Sequence, residues 1–444
     1  MENNKIGYMS ITLEKEKETR WGMAMDMVIT FTMHNTAITM KTSETRTYEG
    51  ENAQLVSSRF LVTNPAGDIV VEGKAGDIEY DITIDIAGHK TSKSFALPLE
   101  TLDEIVKVEM LAVAGSMKPG DKFEFDTFEV EPPLIDKIQH ICTVKQHDRF
   151  ILDGVPTYVY TVRDSIPSLG IAGDITIDRN GHIIKEELAS AGLVMKAEPE
   201  MLAKKIKSSY DILTDNLIPA ENGPENPTVI KQASYIITNY DVSSIPESEW
   251  QKFKIFKADS AEITVSRSIS DIHIQNIPFA DDNFAEFLKP EMLIQSDNPE
   301  IIQLAREIIK DETNSFKAAQ LINNWVYNNI KKEFSPDISN ALLTLHSQKG
   351  DCGEHSALAV ALLRAAGIPS QTVGGIAYWP DGGGFVFHAW TEVYIGRWIF
   401  MDPTWGETYA DATHIMLGRG SFDKQVGSIL NALKRLKIRF VEYR

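Results

Sequence analysis

The sequence predicts an α+β fold, in which a long β-rich antiparallel region precedes a C-terminal region that combines helices with a β-hairpin. Residues 23–34 alternate apolar and polar side chains, which is typical of a half-buried strand. Residues 299–311 and 315–332 have apolar side chains at helical spacing. Residues 385–402 are rich in aromatic and β-branched types around Gly396, which predicts two paired strands.

The first half of the chain contains further strand-like runs, separated by turn residues such as Asn180-Gly181. These runs span residues 36–48, 68–72, 78–86, 122–130, 155–162, 171–177 and 182–187. Turn residues also occupy 65–68, and short helices are expected over 102–111 and 199–207. This pattern predicts a large antiparallel sheet, curved or sandwich-like, with little chemistry of its own.

Three domains are expected. Residues 1–218 form a β-rich N-terminal module, and a proline-rich loop over 219–227 follows it. Residues 228–285 form a further β-rich segment packed on the first module. Residues 286–444 form the mixed C-terminal domain.

A cysteine lies at the predicted start of a helix. Asp351 is a suitable N-cap, the following residues to Ala366 are good helix formers, and Gly367 and Pro369 end the run. Cys352 therefore lies in the first turn, where unpaired N–H groups and the helix dipole favour a thiolate and can bind an oxyanion. We expect the pKa of Cys352 to be lowered there, and an imidazole would lower it further.

A histidine and an aspartate lie on the predicted hairpin. His388 and Asp402 share a face only if the sequence numbers of opposed residues add to an even total. A three-residue loop over 395–397, with Tyr394 opposite Trp398, satisfies this condition. Asp402 then lies diagonal to His388, within reach of a side-chain hydrogen bond. The order nucleophile, base and orienting carboxylate predicts a thiol catalytic triad.

Two other interpretations of these residues are possible. An isolated cysteine is often a small buried apolar residue. Alternatively, Cys352, His355, His388 and Asp402 could bind a metal ion, but soft-metal sites generally use more thiolates than the two cysteines of this chain provide. We therefore expect neither a metal nor a cofactor.

These segments resemble the signature blocks of the transglutaminase-like superfamily, a branch of the papain-like cysteine enzymes. The resemblance covers residues 298–417 and rests on Gly350-Asp351-Cys352, His388-Ala389-Trp390 and Asp402-Pro403. It implies a papain-like core, with Cys352 as nucleophile, His388 as general base and acid, and Asp402 as orienting carboxylate. It also implies acyl transfer from a protein or peptide carboxamide through a thioester to water or an amine.

Hydrolysis and transamidation both stay open, because no Asp-x-Asp-x-Asp-Gly calcium loop of the kind expected in crosslinking members is found. Gln348 and Trp325 are candidates for the second oxyanion donor, and Trp390, Trp398 and Trp405 are candidates for the walls of a substrate groove. A catalytically silent module that binds peptide in the same groove is the alternative. In either case the β-rich module could dock a partner.

Composition restricts the partners. The 444-residue chain has a formal net charge of −19, which disfavours nucleic acid and anionic membrane surfaces. No apolar run reaches the length of a bilayer span, so direct membrane insertion is not expected. The first residues lack the apolar core of a signal peptide. A cytoplasmic protein is one explanation; we expect instead an extracytoplasmic protein whose leader is absent from this chain.

Overall fold

The computed structural model describes residues 4–33, 36–63, 68–152, 155–189, 191–206, 208, 210–211, 213–267, 274–279, 281–333, 340–433 and 435–444. The chain forms two compact units. The first comprises Met1–Thr32 and Thr36–Tyr210, and the second comprises Met33–Asn35 and Asp211–Arg444. None of the described helices is long and apolar enough to cross a bilayer.

The first unit is built mainly from strands. They are β1 (Gly7–Lys17), β2 (Arg20–Met33), β3 (Thr36–Glu49), β4 (Gln54–Val62), β5 (Ile69–Ala75), β6 (Glu79–Ile86), β7 (His89–Ala96), β8 (Lys122–Glu129), β9 (Asp136–Leu152), β10 (Val155–Ile166), β11 (Ile171–Asp178), β12 (Ile183–Leu188) and β13 (Leu193–Lys196). Its helices are α1 (Leu102–Ile105), α2 (Lys107–Val113) and α3 (Glu200–Ala203).

These strands form two sheets in which chain neighbours are spatial neighbours. One sheet has the order β1-β2-β3-β4-β5-β6-β7, and the other has the order β13-β12-β11-β10-β9-β8. Helix α2 packs on the second sheet through Val108 and Ala112, which join a buried cluster with Tyr160 and Ile177. Strands β5 and β6 bury every second residue, as expected for a strand with one face in the core.

The second unit contains the remaining elements. Its strands are β14 (Ile218–Pro219), β15 (Gln232–Thr238), β16 (Gln251–Lys257), β17 (Ser260–Ser266), β18 (Lys331–Lys332), β19 (Lys349–Gly350), β20 (Ser370–Trp379), β21 (Gly384–Tyr394), β22 (Trp398–Met401), β23 (Ile415–Arg419) and β24 (Lys437–Tyr443). Its α-helices are α4 (Pro299–Ile309), α5 (Ser315–Asn329), α6 (Ala341–Ser347), α7 (Cys352–Ala365) and α8 (Phe422–Ala432).

Short 3₁₀-helices complete the secondary structure. They span Pro167–Leu169, Thr214–Asn216, Pro227–Val229, Val242–Ser244, Asp282–Leu288 and Pro380–Gly382.

A five-stranded sheet and helix α7 form the centre of the second unit. The sheet has the order β14-β21-β20-β23, with β22 paired to β21. Helix α7 is buried along most of its length, and its residues Leu358 and Leu362 belong to the same core cluster as Trp390 and Phe400 of the sheet. The N-terminus of α7 is thereby fixed against the sheet, which is how an apolar helix face positions a helix.

The domain division differs from the expected one. Residues 228–285 were expected to be a segment separate from the C-terminal domain, but they belong to the second unit, where β15 pairs with β24 at the C-terminal end of the chain. Strands β16 and β17 complete the same four-stranded sheet, in the order β16-β17-β15-β24. This pairing joins residues far apart in sequence, so local patterns could not reveal it.

The element predictions can be compared in the described part of the chain. Helices expected over 299–311, 315–332 and 352–366 are present as α4, α5 and α7. Strands β1, β4, β7 and β9 were not predicted, and β7 reads HKTSKSFA, with almost no apolar alternation. The predicted turn residues 65–67 and the last residue of the helix expected over 199–207 lie outside the described residues.

Candidate active site

The N-terminus of α7 holds Cys352 in its first turn. The Asp351 side chain accepts a hydrogen bond from the Gly353 N–H at 2.9 Å, and the Glu354 carboxylate accepts one from the Asp351 N–H at 2.9 Å. This reciprocal pair is a capping box, which fixes where the helix starts. The cap therefore sets the direction of the Cys352 N–H and side chain.

The hairpin β21–β22 has the register that the sequence analysis required. Tyr394 pairs with Trp398, so the loop contains three residues, and Thr391 pairs with Met401. One step further along this register, Asp402 lies opposite Trp390 and diagonal to His388. The Nε2 atom of His388 donates to the Asp402 Oδ2 at 2.8 Å.

Asp402 is a fully buried carboxylate that accepts several hydrogen bonds. Its Oδ1 accepts from the backbone N–H of Thr404 at 2.7 Å and of Trp405 at 2.9 Å. Burial alone would raise the pKa of Asp402, but the charge and hydrogen bond of His388, together with His414, hold it well below its usual range. Asp402 is thus ionised at any pH near neutral.

The orientation of the His388 ring follows from two contacts. Its Nε2 is engaged with Asp402, and the ring stacks on Trp405 with centroids 4.3 Å apart. Because a carboxylate accepts, Nε2 carries a proton, and in the neutral ring Nδ1 is then the basic nitrogen. Any proton taken up by His388 must go to Nδ1.

Gly375 makes room for this arrangement on the neighbouring strand β20. It pairs with His388, and a Cβ at this position would lie 2.7 Å from the Trp390 ring and 2.1 Å from the Ile415 carbonyl oxygen. A side chain there would force β23 or Trp390 to move. Glycine therefore allows the close approach of strands behind the histidine.

Cys352 lies against β21, the strand that carries His388. The backbone N–H of Ala389, the residue after His388, donates towards the Cys352 sulfur. Burial, followed by the negative charge of Asp351, nevertheless raises the pKa of Cys352 well above its ordinary value. This corrects the expectation of a lowered pKa, because burial of the sulfur disfavours its charged form more than the hydrogen bond from the Ala389 N–H favours it.

A second imidazole, for which the sequence predicts a structural or rim position and no catalytic role, lies at the back of the site. His414, just before β23, is fully buried, and its Nε2 lies 3.2 Å from the Asp402 Oδ2. Its Nδ1 lies 3.4 Å from the Asp411 Oδ1. The chain turns back after Asp402, where the backbones of Asp402 and Glu407 form two hydrogen bonds. This turn brings His414 and Asp411 behind the Asp402 carboxylate.

The three tryptophans that were candidates for the groove walls lie in different environments. Trp405 is partly exposed and covers the His388 ring. Trp390 was expected to line a groove. It is fully buried and belongs to the core instead. Trp398 packs on Phe287 and Tyr394, away from His388.

The two oxyanion candidates are not brought to the sulfur by any described contact. Gln348 is exposed and ends α6 with a φ of 53°. Trp325 packs from α5 onto the core. Tyr327, also on α5, was not predicted to be a residue of the site. It is 38% exposed and lies beside Gly406, the residue after Trp405.

The alternative metal site loses one of its ligands. Both ring nitrogens of His355 face backbone carbonyl oxygens, those of Asp351 at 2.6 Å and Ile330 at 3.3 Å. His388, Asp402 and His414 lie close enough together for an ion, but the atoms that would bind it are hydrogen-bonded to one another. The described contacts therefore favour a proton-transfer cluster.

Comparisons with known proteins give one family match and several relatives. Residues 302–403 match the family described as the transglutaminase-like superfamily, and this range includes Cys352, His388 and Asp402. An uncharacterized protein of Haemophilus influenzae is 34% identical over 97 residues, which cover 20% of this chain and 26% of that protein. The match thus spans about a quarter of that curated relative.

Three solved structures resemble parts of the chain. A candidate cysteine protease from Cytophaga hutchinsonii has 18% identity and a TM-score of 0.32, covering 48% of this chain and 87% of its own. A β-barrel-like protein from a domain family of unknown function in Brucella abortus has 10% identity and a TM-score of 0.32, covering 41% and 82%. A candidate protease from Parabacteroides distasonis has 11% identity and a TM-score of 0.21, covering 81% and 68%.

At TM-scores this low, the likeness says nothing about shared chemistry. The family match and the strand content together confirm the predicted fold class, a β-rich module followed by a C-terminal α+β region. This chain therefore contains a transglutaminase-like domain, which comprises residues 302–403.

Proposed function

We propose that the second unit catalyses thiol-dependent acyl transfer on a protein or peptide carboxamide, with Cys352, His388 and Asp402 as its catalytic residues. The observation that supports this most strongly is the 2.8 Å hydrogen bond from His388 to Asp402, made on the strand that also donates to the Cys352 sulfur. The bond commits Nε2 to the carboxylate and leaves Nδ1 as the base.

The first half of the reaction forms a thioester. His388 Nδ1 takes the Cys352 thiol proton as the sulfur attacks the carboxamide carbon. The Cys352 N–H lies in the first turn of α7, where N–H groups have no acceptor within the helix, and it stabilises the oxyanion. The carbon–nitrogen bond then breaks, and the leaving amine takes the proton from His388.

The second half releases the acyl group. Water or a primary amine attacks the thioester carbonyl and gives a proton to His388, the carbon–sulfur bond breaks, and the sulfur regains its proton. Asp402 stays ionised throughout and stabilises the imidazolium. Because burial raises the pKa of Cys352, its proton is transferred during attack and not lost beforehand.

Two activities of the same site share this chemistry. Hydrolysis makes the protein a cysteine protease or amidase, and transfer to an amine makes it a transglutaminase. A catalytically silent peptide-binding module is the other candidate, and the raised pKa of the sulfur favours it, since a protonated thiol is a weak nucleophile. In each case the β-rich module is proposed to dock a protein partner.

One assay separates these functions. The full chain is incubated with a glutamine-containing protein and a labelled primary amine, and mass spectrometry scores both amine incorporation and peptide-bond cleavage. We expect turnover in one of these two channels from the wild-type protein and from Cys142→Ala, which retains Cys352. Substrate binding with neither product would support the silent module and contradict acyl transfer.

A further inference from the structure

A second imidazole completes a chain of four side chains at the back of the site. The order is His388, Asp402, His414 and Asp411, with distances of 2.8, 3.2 and 3.4 Å between successive polar atoms. The side chains of Asp402 and His414 are fully buried. Both histidines face the same oxygen of Asp402. A change in the charge or position of His414 therefore affects His388 through this oxygen.

The contacts define how many protons His414 carries. One ring nitrogen faces Asp402 and the other faces Asp411, and a carboxylate only accepts hydrogen bonds. When both carboxyl groups are ionised, both nitrogens donate, which makes the ring an imidazolium. Burial would lower the pKa of His414, but its hydrogen bonds to Asp402 and Asp411 raise it well above the ordinary value.

This cation has a specific effect on Asp402. It occupies a second lone pair of the oxygen that His388 uses, while the backbone N–H groups of Thr404 and Trp405 hold the other oxygen. The carboxylate plane is thus fixed from both ends. Its negative charge is also partly balanced, which restrains how strongly it raises the basicity of His388.

We propose that His414 is a positioning residue for the proposed acyl transfer: a buried imidazolium, held between Asp402 and Asp411, that orients Asp402 and sets the proton affinity of His388. Its effect on rate rests on the proposed function. Its protonation and its influence on His388 do not. It acts through Asp402 and touches no reacting atom.

Acidic and aromatic side chains surround His414. Burial raises the pKa of Glu407 to about 7, so this side chain contributes a negative charge above that pH. Asp411 has one oxygen, Oδ2, with no hydrogen-bond partner among the described residues. The rings of Trp390, Trp405 and His388 also lie close to the His414 ring. His414 is thus the cation that balances these acids.

The first test uses the wild-type protein and requires no activity measurement. The wild-type protein is labelled at its histidine rings with ¹⁵N and ¹³C, and the ring signals are followed by NMR between about pH 5 and pH 9. We expect the His414 ring to keep both protons across this range. A ring that loses one proton near the ordinary histidine pKa of about 6.5 would overturn the proposal.

The second test measures coupling. In His414→Gln we expect the His388 titration, and the acid limb of kcat/KM, to move to higher pH by about one unit, because a nearby cation is removed. We also expect kcat to fall with KM unchanged. A purely structural role would lower activity without moving the titration, and an unmoved His388 signal would overturn the proposal.

A further variant covers the case in which His414→Gln does not fold. Asp411→Asn keeps the imidazole but removes one carboxylate, so His414 should release its second proton at lower pH than in the wild type. No change would overturn the proposal. Because ring titrations need no substrate, a wild type without acyl transfer would refute the proposed function alone, whereas uncoupled titrations would refute only the role of His414.

Discussion

Replacing Asp402 with asparagine is expected to lower kcat/KM for acyl transfer by about 10³–10⁴-fold. The amide cannot hold the His388 ring with Nδ1 as the base in the same way, because it can donate as well as accept. It also gives the imidazolium formed during attack no charge to pair with. The measurement is kcat/KM against pH, on whichever substrate the activity assay identifies.

The same substitution has a defined effect on stability. The pKa of Asp402 is depressed in the folded protein, so the ionised carboxylate contributes stability that is fully present above its unfolded pKa of about 3.9 and is lost as the pH falls. The stability difference between wild type and Asp402→Asn should therefore be largest near neutral pH and shrink in acid. Chemical denaturation at several pH values measures it.

A matched control exists in the first unit. Asp164 accepts from the His140 Nδ1 at 2.8 Å, as Asp402 does from His388, and also from the Cys142 sulfur at 3.6 Å. We expect Asp164→Asn to leave acyl transfer unchanged. Equal losses in both variants, or full activity in Asp402→Asn, would contradict the role assigned to Asp402.

Replacing Cys352 with serine is expected to remove acyl transfer almost entirely, by about 10⁵-fold or more. Serine is nearly isosteric and keeps an acceptor for the Ala389 N–H, so the helix cap and the hairpin should be undisturbed. The hydroxyl is a much poorer nucleophile than the thiol when a histidine is its base in a site built for sulfur. Kinetics and thermal unfolding are measured together.

Cys142→Ser provides the control for this change. Cys142 is buried in the first unit, where burial and Asp164 raise the pKa of its thiol. Its replacement should leave the reaction rate unchanged. If Cys352→Ser retained substantial turnover while folded, or if Cys142→Ser lost it, a thioester on Cys352 would not be the intermediate.

Much of the site could be predicted because its determinants are local. The cap at Asp351 and the stop signals after Ala366 define helix α7, and side-chain parity in the hairpin requires a three-residue loop if His388 and Asp402 are to meet. Strand pairing between Tyr394 and Trp398 confirms that loop. The roles of these residues in catalysis remain a proposal.

The parts that could not be predicted depend on tertiary packing. The pKa of Cys352 depends on how deeply the sulfur is covered, and the first turn of a helix does not reveal this. His414 reaches Asp402 only because the chain turns back between Asp402 and Glu407. Asp402-Pro403 and Gly406 indicate a turn there, but they do not indicate where the residues after the turn will lie. The exposure of Trp390 likewise depends on β20, which covers it by means of Gly375.

The central claim is that His388 activates Cys352, and site-specific alkylation tests it most directly. Iodoacetamide is added at a series of pH values around neutral, and mass spectrometry measures the modification rates of Cys352 and Cys142 in the wild type and in His388→Gln. We predict that Cys352 reacts faster than Cys142 in the wild type and that the Cys352 rate falls in His388→Gln while the Cys142 rate does not. Equal rates for the two cysteines in the wild type, or a Cys352 rate unaffected by His388→Gln, would contradict it.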